Sequence, residues 1–86
     1  MPRYFFDLEV MGLHEYGSQS EEFADLLSAI VAANTSAVGL VAEDIARGDG
    51  VGSGSVKLRN EAGETVYKIS FVEAEGLLRA AQGDAH

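Results

Sequence analysis

The chain has 86 residues, 14 of them acidic and six basic, with a net charge of −8 and no cysteine. That length supports one domain near the lower limit for a self-sufficient hydrophobic core, and disulfides and thiolate metal sites are excluded. The charge repels phosphate backbones and anionic membrane surfaces, so neither direct nucleic-acid binding nor membrane binding is expected.

No apolar run approaches the roughly 20 residues of a membrane span. Asp7 and Glu9 give the start of the chain the wrong shape for a signal peptide. A cytoplasmic location is the expectation.

The first predicted element is a strand over Arg3-Tyr4-Phe5-Phe6-Asp7-Leu8-Glu9-Val10. Tyr4, Phe6, Leu8 and Val10 fall on one side of a two-residue repeat and Arg3, Asp7 and Glu9 on the other, which makes one dry face and one wet face. Phe5 breaks the pattern as an aromatic on the wet face, and an exposed phenylalanine there suggests a second buried surface. Met11 to Gly17 carries two glycines about a short apolar and aromatic segment, as for a turn into a second, shorter strand.

Ser18 to Glu22 is polar, and Asp25 stands where a carboxylate can cap a helix beginning at Leu26. The helix should run for about 20 residues, roughly 30 Å. Leu27, Val31, Asn34, Val38, Val41 and Ile45 define its stripe, with Leu26, Ile30, Ala33, Ala37 and Leu40 beside them. Gly39 and Asn34-Thr35-Ser36 are weak helix formers at its middle, where a kink can form.

Arg47 to Ser55 holds four glycines in nine residues and reads as a loop, with Gly48 as a left-handed cap. It is not a phosphate loop, because the helix precedes it and a strand follows. The role of residues 48–54 beyond connection is not set by the sequence.

Val56-Lys57-Leu58-Arg59 and Thr65 to Val72 form a hairpin about Asn60 to Glu64, with Gly63 at the tight turn. Tyr67, Ile69 and Phe71 share its dry face. Glu73 to Ala81 reads as a short helical turn. The expected fold is α+β: two layers in the order ββαββ, an antiparallel sheet of about four strands with one long helix on one face. Residues 1–82 make the domain and 83–86 a flexible tail.

The opening Met1-Pro2-Arg3-Tyr4-Phe5-Phe6-Asp7-Leu8, then Glu22-Phe23-Ala24-Asp25-Leu26, Val56-Lys57-Leu58-Arg59-Asn60-Glu61-Ala62-Gly63 and Ile69-Ser70-Phe71 resemble a family of small bacterial proteins described as a domain of unknown function. Its members typically begin MPRYFF. The resemblance implies a bacterial, cytoplasmic protein of this fold and brings no catalytic residue with it.

No catalytic or metal-binding constellation is visible, and no cofactor is called for. His14, beside Glu15 and Tyr16, lacks a second histidine within the domain and reads as a turn residue. Glu21-Glu22 and Glu43-Asp44 are adjacent pairs whose members point in different directions, so they read as solvated faces. The serines in loops have no histidine to activate them. Asn34, within the apolar stripe, either caps a loop or bonds across a sheet, or else fixes register where two helices or two subunits meet.

Phe5, Asn34, His14 and Tyr16 are therefore interface candidates. The leading expectation is a non-enzymatic protein-interaction module, a homodimer that binds another protein. One alternative is an acidic inhibitor that mimics nucleic acid, with Asp7, Glu9, Glu43, Asp44, Glu61, Glu64, Glu73 and Glu75 in rows. Another is an antitoxin-like regulator.

Overall fold

A computed structural model describes residues 1–10, 13–48 and 52–81. It contains strands β1 (Arg3–Val10) and β2 (Leu13–Glu22), helix α1 (Leu26–Ala46), strands β3 (Gly54–Arg59) and β4 (Thr65–Ser70), and helix α2 (Phe71–Ala81). The four strands form one antiparallel sheet in the order β2-β1-β3-β4. The class is α+β, as expected, but two helices rather than one accompany the sheet.

The dry face of β1 meets α1 as its alternation requires. Tyr4, Ala29 and Leu58 form one buried cluster, with Phe6, Phe23 and Tyr67 packed against it. A second joins Ala33, Ala37, Val41, Val56, Ile69, Phe71 and Ala74. The face of α1 that is buried is thus Ala29, Ala33, Ala37 and Val41; of the expected stripe Val41 is buried, Asn34 and Val38 are half-buried, and Leu27, Val31 and Ile45 are exposed. Small side chains let the helix axis approach the sheet, so the aromatic and branched residues of the strands fill the space between the layers.

Asp25 caps α1 by accepting a hydrogen bond from the Ser28 amide at 2.9 Å. The helix runs unbroken through Asn34-Thr35-Ser36, where the Thr35 hydroxyl donates to the carbonyl of Val31. Gly48 ends it at φ 81° and Gly63 takes φ 85° in the β3–β4 turn, each in the left-handed region that favours glycine. Asp49, Gly50 and Val51, and the tail with residue 82, lie outside the described residues.

Several elements differ from the expectation. β2 is longer than predicted and takes in the polar segment Ser18 to Glu22, because it pairs along the whole of β1. Phe6 pairs with Gln19 and Leu8 with Glu15, so Tyr16, Gly17 and Ser18 oppose Asp7 alone in a bulge with two extra residues on β2. β4 stops at Ser70, and Phe71 is buried from the first turn of α2 rather than from a strand. Ser70 starts that helix with a reciprocal cap: its hydroxyl accepts from the Glu73 amide at 3.1 Å, and the Glu73 carboxylate accepts from the Ser70 amide at 2.9 Å.

α1 is also long and apolar enough, by length and composition alone, to cross a membrane. This corrects the expectation that no segment approaches that limit. Its alanine face is nonetheless packed on the sheet.

Candidate functional site

The two layers present two outward surfaces of opposite character. On the sheet, β1 and β3 place Phe5 opposite Arg59, Asp7 opposite Lys57 and Glu9 opposite Ser55, away from the helices. Asp7 is only 2% exposed, although it lies on the expected wet face. Arg59 reaches it with two nitrogens: Nη2 donates to Oδ1 at 3.0 Å and Nε donates to Oδ2. A paired guanidinium is what a carboxylate so removed from water requires. The same guanidinium stands 5.5 Å from the centroid of the Phe5 ring, in cation–π range.

Phe5 is therefore half-buried under Arg59 rather than bare. Lys57 and Lys68 pair across β3 and β4 on this face. Among the described residues neither lies within ion-pair distance of a carboxylate. Arg3 joins them, hydrogen-bonded to the Ser20 hydroxyl at 3.0 Å and 3.6 Å from Glu22. Four of the chain's six basic residues thus belong to the outer sheet face, and Arg47 and Arg79 belong to the helical layer.

The outward surface of α1 carries exposed apolar side chains near its start. Leu27 is 69% exposed and Val31 56%, with Leu26 and Ile45 also exposed. No charged residue occurs from Leu26 to Ala42. At the far end of α1, a groove of about 320 Å³ opens between the helices, lined by Ala42, Ile45, Ala46, Glu75, Leu78 and Arg79. Arg79 donates to Glu75 at 2.9 Å on its rim, and Arg47 pairs with Asp44 nearby.

Two carboxyls have pKa values held below the ordinary range. Asp25 is lowered by the Ser28 amide and then by the Ser28 hydroxyl. Glu73 is lowered by the Ser70 amide, then by the Ser70 hydroxyl, with the charge of Lys68 adding to the effect. Both are capping groups, so these shifts reflect helix termini rather than catalysis.

The sequence candidates do not converge. Asn34 is half-buried on α1 and accepts a hydrogen bond from the Tyr67 hydroxyl at 2.7 Å, a bond across to the sheet. Phe5 lies on the opposite side of the sheet. The β2 backbone pairs His14 with Glu9, and the side chains of His14 and Tyr16 lie outside the described residues. Sequence reasoning passed over the pairing of Arg59 with Asp7 and the exposure of the Leu27–Val31 ridge. The spacing of Ala29, Ala33 and Ala37, continued by Val41, was the available signal for the last of these.

No group of three or more histidine, aspartate or glutamate side chains able to hold a metal occurs among the described residues. The eight carboxylates proposed to form rows are divided among β1, α1, the β3–β4 turn and α2. Asp7 is withdrawn into its pair with Arg59.

These features define an α+β domain with a polar outer sheet face and a first helix that is uncharged from Leu26 to Ala42. The chain belongs to the family described as domain of unknown function DUF6894, whose model matches residues 3–72. No curated protein and no solved structure matches it.

Proposed function

We propose that this chain is a small acidic protein-interaction module, non-catalytic and homodimeric, that binds another protein. The observation that carries the reading is the exposure of Leu27 and Val31 on a helix face without charge, in a chain of net charge −8. Apolar side chains exposed together on a small domain favour association, because covering them releases ordered water. The family resemblance of the opening residues supports a bacterial, cytoplasmic setting for the module.

Light scattering coupled to size exclusion at several concentrations tests the reading, together with a pull-down from lysate. A dimer mass and a recovered partner are expected. A stable monomer that recovers nothing would sink it, and turnover that disappears in His14→Ala would replace it with an enzyme.

A further inference from the structure

We propose that the edge of β4 takes up an extended segment of another protein, with a carboxylate side chain of that segment beside Lys68 and Lys57. This rests on the protein-binding part of the reading above and names the class of partner. Two independent observations meet at Lys68: the backbone groups it turns outward and the like charge it faces.

The strand order β2-β1-β3-β4 leaves β4, among the described residues, with a strand neighbour on one side only. The Ser70 amide donates to the Glu73 carboxylate at 2.9 Å, which turns it away from β3. Ladder bonds in an antiparallel pair alternate along each strand, so the amide and carbonyl of Lys68 point outward as well. The register is regular from Tyr67 to Ser70, and its shift falls between Leu58 and Arg59, before Tyr67 on β4. An added strand therefore finds one donor and one acceptor at Lys68, the means by which sheet edges bind extended peptides.

The charge pattern names the occupant. Asp7 lies opposite Lys57 and Lys57 opposite Lys68, so a row across the sheet reads acidic, basic, basic and stops at the edge. Asp7 is committed to Arg59. By the same alternation Lys57 and Lys68 form a pair without ladder bonds, the kind that brings opposite residues closest, about 4.5 Å between Cα atoms. Like charges so placed repel. Among the described residues no carboxylate forms an ion pair with either lysine, in a chain with 14 acidic residues. Glu73 feels the charge of Lys68, but its carboxylate is held on the Ser70 amide.

A guest residue paired with Lys68 sets its side chain on the same face, beside the ammonium, and a carboxylate there supplies the charge the row lacks. A basic guest is repelled. Self-pairing through β4 is no substitute, because Thr65–Ser70 contains no acidic residue. A nucleic-acid strand would bring a phosphate at every step against a net charge of −8. The guest's neighbouring residues fall beside Tyr67 and Ile69, which pack into the core, and so are apolar.

The experiment titrates the full chain into a labelled peptide, Thr-Val-Glu-Val-Thr, and into counterparts with glutamine or lysine at the centre, and reads fluorescence anisotropy at low salt. The glutamate peptide should bind at least about tenfold more tightly than the lysine peptide. Methylating the glutamate's backbone nitrogen should abolish its binding. Lys68→Glu should reverse the preference; Lys68 is exposed and the change replaces a like-charge pair by an opposite one, so the variant should fold, which circular dichroism checks. Equal binding of the three peptides, an unchanged preference in Lys68→Glu, or tighter binding of a single-stranded oligonucleotide would overturn the proposal. A lysate partner recovered equally by wild type and Lys68→Glu would overturn this edge while keeping the interaction module. No peptide bound and no partner recovered would overturn both.

Discussion

The Tyr67 hydroxyl donates to Oδ1 of Asn34 at 2.7 Å, fastening β4 to the middle of α1 across the boundary between layers. The bond explains how an asparagine is accommodated beside the alanine stripe: its carbonyl faces a fixed donor and not a hydrocarbon wall.

Tyr67→Phe should therefore cost about 1 kcal/mol of folding stability, the ordinary net worth of one such bond. Urea denaturation of Tyr67→Phe, Asn34→Ala and the double variant checks this. The double variant should lose less than the sum of the single losses, and strict additivity would show that the two residues act independently.

Asp7→Ala should be among the more damaging single changes to the sheet. It removes a carboxylate 2% exposed and leaves the half-buried Arg59 guanidinium without that partner. The loss should be roughly 2–4 kcal/mol, near the range for breaking buried pairs. Arg3→Ala, which breaks the exposed contact with Glu22, should cost less than about 1 kcal/mol. Equal denaturation midpoints for the two variants would contradict this account.

Two glycines should respond in opposite directions to alanine. At Gly54 a Cβ would lie 2.6 Å from the Glu9 carbonyl oxygen and 2.8 Å from Cε2 of Phe71, so Gly54→Ala must displace backbone or a buried ring. A loss of about 1–3 kcal/mol is expected. Gly39→Ala meets no neighbour within 4 Å and should raise stability by about 0.5–1 kcal/mol through helix propensity. Thermal melts at low protein concentration distinguish them.

Acid should loosen both helix starts. The folded-state pKa values of Asp25 and Glu73 lie below the ordinary range, so the unfolded chain binds these protons more readily. The stabilisation is complete above the ordinary carboxylate range and is lost as pH falls through the lower folded-state values. Asp25→Asn and Glu73→Gln should each flatten the acid limb of a plot of melting midpoint against pH. An unchanged limb in both variants would remove the caps from the explanation.

The strand β1 and the start of α1 were legible because period and cap coincide there: alternation from Tyr4 to Val10 and a carboxylate at Asp25. The buried face of α1 was legible only in part: Ala33, Ala37 and Val41 lay in or beside the expected stripe, but hydropathy ranks Leu27 and Val31 above Ala29, whereas close approach to a sheet selects for small volume. The start of α2 carried a readable signal, Ser70-Phe71-Val72-Glu73, but the β-forming residues before it extended the apparent strand through Phe71. The length of β2 had no local signal, since its polar second half is strand only by pairing with β1. The same holds for Asp7, whose burial depends on an arginine 52 residues away.

The strand order also sets a timetable for synthesis. β1 can pair with β2 as soon as both have been made, but its other edge belongs to β3, with Leu8 opposite Val56 and Val10 opposite Gly54. At roughly 5–20 residues per second, that edge stays open for several seconds while α1 emerges without the floor for its alanine face. The nascent half-sheet is then a template for unwanted strand pairing. Asp7 and Glu9, placed along β1, make that edge acidic during the interval before Arg59 arrives, and so discourage neighbouring nascent chains from joining it.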